Sequence, residues 1–209
     1  MTGEGGYRAV RYSNVAIVLH WAIAALILYN LATGLFGEWL PRGAFAFHIS
    51  SGITILVLTV VRIVWRLTHR PPPFLPMTGG ERALAHGVHA LLYVAMLALP
   101  LTGWAMVSAN PPAGSAGAAF AAQGKPASKR GPILIWNAIP LPLIAPINDI
   151  GRTPEGVPEQ HELHERLETI HGLGGWLMLA LLVLHVAGAL KHQFIDRQRA
   201  LARMGLGRA

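Results

Sequence analysis

Ten histidines and no cysteine define the chemistry open to this chain of 209 residues. Four of the histidines lie inside long apolar stretches, namely His20, His48, His171 and His185. An ionisable side chain inside an apolar segment is costly, which makes each of the four a candidate functional residue. The lack of cysteine excludes a disulfide framework, a thiolate metal site, an iron–sulfur cluster and a covalently attached c-type haem. Any metal or cofactor must therefore rely on imidazole.

His171 and His185 are 14 residues apart within one apolar stretch. Fourteen residues of α-helix come within about 40° of whole turns, so both rings project from one face, about 21 Å apart along the axis. This separation places one ring near each edge of a hydrocarbon core about 30 Å thick. Matching by depth pairs His185 with His20 on the cytoplasmic side of the membrane and His171 with His48 on the outer side.

Two pairs of imidazoles favour haem over zinc. A closed structural zinc site takes about four protein ligands, and here the carboxylates lie only at the ends of the apolar stretches. A porphyrin supplies the equatorial nitrogens itself, so two axial histidines complete the coordination of its iron. With both axial positions filled, the iron has no open position for a substrate and is suited to carry electrons. The pattern therefore predicts two stacked haems and an electron path across the membrane.

Two further histidines leave the pairing on the cytoplasmic side open. His86 and His89 are three residues apart at the start of the third apolar stretch. Both lie at cytoplasmic depth, and either could take the place of His20 opposite His185. Spacing alone does not decide among the three partners.

Other polar residues near the ends of the apolar stretches each allow a structural and a functional interpretation. Arg62 and Arg66 share a helix face, so they could reach lipid phosphates or pair with the propionates of the cytoplasmic haem. His164 and His192 each lie seven residues beyond a candidate ligand, and we expect hydrated surface side chains at both. A functional reading would place His192 near a propionate or a proton path.

Small residues accumulate beside the candidate ligands. They let helix backbones approach a flat cofactor or one another closely. The glycines concerned are Gly52, Gly172, Gly174, Gly175 and Gly188.

Four stretches are long and apolar enough to cross a bilayer, which takes about 20 residues. They cover about residues 13–36, 44–67, 82–108 and 165–191. Apolar residues make up 53% of the chain and charged residues 13%, a composition that indicates a protein embedded in lipid. We expect a single all-α domain, an integral membrane four-helix bundle, since bundle cores commonly hold cofactors between facing helices.

The outer connection, about residues 109–163, contains two contrasting segments. Residues 113–128 are rich in Gly, Ala and Ser, and we expect them to be flexible. Residues 139–147 are apolar but interrupted by three prolines, which excludes a fifth spanning helix. We expect this second segment on the outer membrane surface or over the mouth of the bundle.

The basic residues predict the orientation of the chain. The side with the N-terminus, the loop between the second and third stretches and the C-terminal tail has a net charge of +8, against −1 on the other side. Because basic loops stay in the cytoplasm, we expect both termini there. The charge is thus explained by topology, and nucleic acid is excluded as a partner. The first apolar run is too long for the core of a signal peptide.

Several sequence blocks closely resemble the bacterial cytochrome b561 family of dihaem membrane proteins. They are Val18–Trp21, Phe47–Gly52 with its continuation to Arg62, Ala85–His89, and His171 with Leu184–His192. The resemblance covers about residues 12–205 and is weak in the outer connection.

The resemblance implies two b-type haems ligated by His20, His48, His171 and His185, in the bacterial inner membrane. It also implies a quinone as one electron partner. Some family members resemble superoxide oxidases, which pass electrons from superoxide to ubiquinone. Others resemble cytochrome subunits of hydrogenases or dehydrogenases.

We therefore expect an oxidoreductase that couples the quinone pool to a one-electron donor or acceptor at the periplasmic face, with superoxide as one candidate. The alternative is a membrane anchor that relays electrons for a separate periplasmic enzyme. A transporter with histidines as proton relays is a third class, and it would be colourless. The sequence leaves the oligomeric state open, and the only other partner that we expect is membrane lipid.

Overall fold

The structure is a computed structural model that describes residues 11–40, 43–73, 75–123 and 132–207. The elements in chain order are α1 (Asn14–Leu35), α2 (Ala44–Thr68), α3 (Gly79–Ser108), α4 (Ala116–Ala121), β1 (Leu134–Ile135), β2 (Ile139–Pro140), α5 (Ala145–Asn148), α6 (Val157–Leu190) and α7 (Ala200–Arg203). Four of the helices, α1, α2, α3 and α6, are long and apolar enough to cross a membrane. The expectation of a mostly helical chain with four spanning helices is confirmed. The one departure from an all-helical chain within the described residues is the short hairpin of β1 and β2.

Two of the spanning helices begin earlier than hydropathy predicts. Helix α3 begins at Gly79 because Thr78 and Glu81 form a capping box, in which each side chain bonds to the backbone of the other. Helix α6 begins at Val157 and has Pro158 in its first turn, where a missing N–H costs nothing. The predicted spans begin at about 82 and 165, later than these helices do, because hydropathy marks the lipid boundary and not the end of a helix.

The four spanning helices pack in a ring in the order α1, α2, α3, α6, with α6 closing against α1. A buried apolar core lies midway along them, formed by Ile23, Ile27, Ile55, Met96 and Met178. Helices α2 and α6 are consequently diagonal neighbours, as are α1 and α3. This arrangement allows side chains from all four helices to meet at two levels, one on either side of the core.

The connection between α3 and α6 packs against one end of the ring, which we call the acidic end. The backbone N–H of Trp136 donates to Ser50 Oγ at 2.9 Å, and that of Ile144 donates to Ser108 Oγ at 3.0 Å. The indole of Trp104 donates to the carbonyl oxygen of Pro142 at 2.7 Å. The proline-rich segment therefore lies against the ends of α2 and α3.

Part of the stretch that we expected to be flexible is folded. Residues 116–121 form α4, which Ser115 caps by accepting a hydrogen bond from the backbone of Ala118. Gly117 lies so close to the backbone of Gly151 that a Cβ atom would come within 1.9 Å of its oxygen. Glycine at this position therefore allows the close contact. Residues 124–128 of the same stretch lie outside the described residues.

The opposite end of the ring, the basic end, carries the first and last described residues. The backbone N–H of Tyr12 donates to the carbonyl of Arg203 at 3.1 Å, and the indole of Trp21 donates to that of Met204 at 2.9 Å. Gln198 donates to the carbonyl of Pro76 in the loop between α2 and α3 at 2.8 Å. The C-terminal segment is thereby attached to both the start of α1 and this loop.

Candidate functional site

The four candidate histidines lie in two pairs, one at each level of the ring. The ring centroids of His48 and His171 are 6.2 Å apart near the acidic end. Those of His20 and His185 are 6.1 Å apart near the basic end. The structure thus brings together the same partners that depth matching selects.

The separation within each pair fits a single metal ion between two imidazoles. Two metal–nitrogen bonds of about 2.0 Å, with about 1.1 Å from nitrogen to centroid in each ring, give a centroid separation of about 6 Å. The observed 6.1 and 6.2 Å match this value. The ring planes are inclined by 61° and 66°, so neither pair is stacked. Either pair could therefore supply two axial nitrogens to one haem iron.

A threonine fixes the orientation of each imidazole in the pair at the acidic end. Thr33 Oγ1 lies 2.7 Å from His48 Nδ1, and Thr102 Oγ1 lies 3.1 Å from His171 Nδ1. Both hydroxyls also bond to carbonyl oxygens of their own helices. Because each hydroxyl donates its own proton to a carbonyl oxygen, it accepts the proton on Nδ1 of the histidine. The lone pair of the ring is then on Nε2. Metal-ligating histidines are commonly held in this way.

A cavity of about 440 Å³ opens beside His48 and His171. Pockets for small ligands and cofactors measure about 300–1,000 Å³. Three of the glycines that the sequence singled out, Gly52, Gly172 and Gly175, line it, and a Cβ atom on any of them would meet no other atom within 4 Å. These glycines therefore leave open space beside the ring pair, as a flat cofactor requires.

Gly174 and Gly188, the other two of that group, differ in their surroundings. A Cβ atom on Gly174 would come within 2.6 Å of Leu99 Cδ2, so this glycine allows close packing of α6 against α3. A Cβ atom on Gly188 would meet no atom within 4 Å.

Two glycines that the sequence analysis missed lie against the histidine rings. A Cβ atom on Gly103 would stand 3.1 Å from His171 Cε1, and one on Gly34 would stand 3.5 Å from His48 Cε1. Each of these glycines lies 14 residues after a histidine of its own helix, Gly34 after His20 and Gly103 after His89. The spacing that relates His171 to His185 was thus the signal that would have found them.

A third imidazole, that of His89, lies at the basic-end level. Its centroid is 5.0 Å from that of His185, and its Nδ1 donates to the carbonyl of Ala85 at 2.6 Å. A separation of 5.0 Å is too short for a metal ion between two imidazoles, which needs about 6 Å. The geometry therefore favours His20 as the partner of His185. His86 Nδ1 lies 2.7 Å from its own helix carbonyl at Arg82.

The expectation of hydrated side chains at His192 and His164 was wrong for both. His192 lies in the π-helical turn Lys191–Ile195 at the end of α6, its side chain is only 16% exposed, and Nδ1 lies 2.7 Å from Asp196 Oδ2. His164 is half-buried, and its Nδ1 has no hydrogen-bond partner among the described residues. Spacing along the helix located both residues but could not show which atoms cover them.

Comparison with known proteins finds relatives that are named as b-type cytochromes or as a probable superoxide oxidase. Cytochrome b561 homolog 2 of Escherichia coli (strain K12) is 28% identical over 206 residues, which cover 93% of this chain and 90% of the relative. A probable superoxide oxidase, CybB, of Yersinia pestis is 26% identical over 199 residues, covering 93% and 95%. Cytochrome b562 of Cereibacter sphaeroides is 35% identical over 116 residues, covering 49% and 67%.

The family model for prokaryotic cytochrome b561 matches residues 11–207, which includes all four spanning helices and both ring pairs. Integral membrane electron carriers with b-type haem make up this family, and the four apolar helices agree with a multi-pass protein of the bacterial inner membrane. The chain belongs to the prokaryotic cytochrome b561 family.

Proposed function

We propose that this chain carries electrons between a quinone in the membrane and a one-electron donor or acceptor at the periplasmic face, through two b-type haems. His20 and His185 hold one haem, and His48 and His171 hold the other. The observation that carries the proposal is the pair of centroid separations, 6.1 and 6.2 Å, at two levels of one bundle. Two occupied levels would give a path between the membrane faces.

The protein contributes ligands, orientation and an apolar surrounding. When bound, each haem supplies one-electron redox chemistry at its iron. His20 with His185, and His48 with His171, would each hold one haem iron, and a metal held by two histidines would carry electrons and not bind small molecules. Thr33 and Thr102 hold the Nδ1 protons of the acidic-end pair, which keeps each Nε2 available as a donor to the metal. The core residues Ile27, Ile55 and Met178 exclude water between the two levels.

The proposed orientation places the basic end in the cytoplasm. Both described ends of the chain then lie on the cytoplasmic side, and His48 and His171 lie near the periplasmic surface. Support for a quinone partner comes from the family and from the apolar, lipid-facing exterior of the bundle.

Superoxide is our candidate donor at the periplasmic face, on the basis of the relative from Yersinia pestis that is named a probable superoxide oxidase. The described residues there do little to attract an anion, because Arg152 and Arg166 are paired with acidic residues and Glu168 lines the cavity. The basic residues that the sequence offers for attracting an anion lie outside the described residues; they are Arg42, Lys125, Lys129 and Arg130.

A second candidate function is a membrane anchor for a periplasmic redox enzyme. The hairpin of β1 and β2 favours it, since Trp136 is 46% exposed and Ile139 is 62% exposed at the acidic end. Purification in mild detergent separates the two candidates. A stoichiometric soluble partner favours the anchor, whereas turnover of superoxide and ubiquinone by the lone chain favours the enzyme.

Counting haems on the purified chain tests the proposal directly. We expect two b-type haems per chain, and the loss of one in each single variant His20→Ala, His48→Ala, His171→Ala and His185→Ala. The matched control is His161→Ala, because that side chain is 71% exposed and should leave both haems bound. Fewer than two haems in the unaltered protein would contradict the proposal, and a colourless protein would favour the proton-relay class.

A further inference from the structure

The 14-residue spacing recurs on all four spanning helices and relates one level of the ring to the other. At the acidic end the positions are Gly34, His48, Gly103 and His171, and at the basic end they are His20, Arg62, His89 and His185. Fourteen residues are close to whole helical turns, so each helix presents its two positions on nearly the same face. The two levels are thus equivalent in position but differ in chemistry.

The chemical difference is largest on α2 and α3. Where α3 has Gly103 beside the acidic-end pair, it has His89 at the basic end, and where α2 has His48 it has Arg62. Arg62 is half-buried, and its Nε donates to the hydroxyl of Tyr93 at 3.0 Å. It lies close enough to His20, His89 and His185 for its charge to act on all three rings. A permanent cation is therefore built into the basic-end level.

This cation has no anionic partner among the described residues. The acidic side chains described at the basic end are Glu81 and Asp196, and both bond to Lys191. A charged group at membrane depth normally pairs with another group, because leaving it unpaired in a low-dielectric surrounding is costly. Arg66, one turn further along α2, is exposed and is better placed for lipid phosphates. We therefore expect an anionic group inside the bundle to pair with Arg62.

We propose that Arg62 and Tyr93 bind a carboxylate side group of the porphyrin held by His20 and His185, an inference that rests on the proposed function. A guanidinium presents its N–H groups as a fork that matches a carboxylate. With Nε committed to Tyr93, the two terminal nitrogens remain available as donors, since neither bonds to another of the described residues. The Tyr93 hydroxyl accepts from Arg62 and keeps its own proton to donate. The site is therefore a carboxylate receptor of three donors, and the acidic-end level has none at the equivalent positions.

Infrared difference spectra between the oxidised and reduced protein test this site. The propionate carboxylates of the haem are labelled with carbon-13, and the spectra are compared among Arg62→Gln, Tyr93→Phe and the control Arg70→Gln. Arg70 is an exposed residue of the loop after α2, so its variant removes the same charge outside the ring. We expect labelled carboxylate bands to shift in Arg62→Gln, to shift less in Tyr93→Phe and to stay unchanged in Arg70→Gln.

A redox titration of the same proteins gives a second readout. Removing a cation beside a haem disfavours its reduced form, so Arg62→Gln should lower the midpoint potential of one haem and leave the other unchanged. Arg62→Lys keeps the charge but loses the fork. It should therefore preserve the potential largely while still shifting the carboxylate bands, and it serves if Arg62→Gln fails to fold.

Two results would overturn this site while leaving the proposed function intact. The first is a protein with two haems in which the labelled carboxylate bands are the same in Arg62→Gln, Arg62→Lys and the unaltered chain. The second is a shift confined to lipid phosphate bands, which would assign Arg62 to a headgroup. Fewer than two haems in the unaltered chain would instead overturn the proposed function itself.

Discussion

Hydroxyl groups beside the histidines are the residue-scale feature that tunes the acidic-end pair. The Nδ1 proton of His171 is shared with Thr102 at 3.1 Å, and that of His48 with Thr33 at 2.7 Å. A hydrogen bond from Nδ1 makes the ring a more basic ligand at Nε2, and loss of such a partner typically costs about 10–100-fold in metal affinity or activity.

The substitution Thr102→Val should therefore weaken one haem site. We expect a loss of haem affinity of roughly tenfold or more and a rise in the midpoint potential of that haem, because the less basic imidazole stabilises the oxidised iron less. Transfer of haem to an acceptor protein and a redox titration measure the two effects. Thr169→Val is the control, since Thr169 is exposed and, among the described residues, bonds to its own helix alone. Equal haem transfer from both variants would contradict this role of Thr102.

The glycines beside the rings predict a second residue-scale effect. In Gly103→Ala the new methyl group stands 3.1 Å from His171 Cε1, so the ring must move by a few tenths of an ångström. In Gly34→Ala the distance to His48 Cε1 is an ordinary 3.5 Å. We expect the low-spin ferric signal in electron paramagnetic resonance to change in Gly103→Ala and to stay unchanged in Gly34→Ala. The opposite order would refute the contact.

The ring pairs could be predicted from the sequence, but their neighbours were missed. His171 and His185 lie on one helix, where spacing fixes both direction and depth. Thr33 and Thr102, by contrast, each bond to a ring carried by another helix, so their role depends on how helices are rotated in the bundle. Residue spacing along one helix does not determine how that helix is rotated relative to its neighbours.

At the scale of elements, Lys191 joins the end of α6 to the start of α3. Its Nζ lies 2.7 Å from Glu81 Oε1 and 2.9 Å from Asp196 Oδ2. The hydrogen bonds from Lys191 are the main cause that holds the pKa of Asp196 below its ordinary value of 3.8. The network favours the folded state as long as this carboxylate is ionised.

The pH dependence of stability follows from that direction. A carboxylate whose pKa is lowered on folding stabilises the protein above its ordinary pKa, and the contribution is lost as the pH falls through the lowered value. The melting temperature in detergent should therefore fall on acidification below about pH 4. The melting temperature of Lys191→Met should be lower at neutral pH and should fall less steeply below about pH 4. Arg166→Met, which removes an exposed pair with Glu162, should change neither quantity appreciably. Parallel curves for Lys191→Met and the unaltered chain would exclude this contribution.

Helix existence was predictable from the sequence, and helix ends were less so. The four apolar stretches identified α1, α2, α3 and α6 because lipid imposes a minimum length. The early start of α6 at Val157 arises from a polar segment that hydropathy assigns to the connection. The fold of 113–123 around α4 depends on contact between Gly117 and the backbone of Gly151, which are distant in sequence.

At the scale of the whole molecule, the distribution of charge decides which end faces the cytoplasm. A reporter fused to the C-terminus should be active when it requires the cytoplasm and inactive when it requires the periplasm. A reporter inserted in the loop between α2 and α3 should agree with it, because Gln198 and Pro76 lie at the same end. A reporter inserted after residue 123 should give the opposite result. A periplasmic signal from the C-terminal fusion would reverse the assignment.

Helix α6 is long enough to project well beyond the lipid. Its 34 residues span about 51 Å, compared with a hydrocarbon core of about 30 Å. The same rigid rod carries His171 and His185, and its first turns carry Glu159, Glu162 and Glu165 outside the membrane. Its first turns pack against the connection through Gln160, which is 1% exposed and donates to the carbonyls of Ile147 and Asn148. A protein that binds the connection and tilts this end of α6 would therefore displace both imidazoles together. Binding of a partner at that surface would thus shift one candidate ligand of each ring pair at the same time.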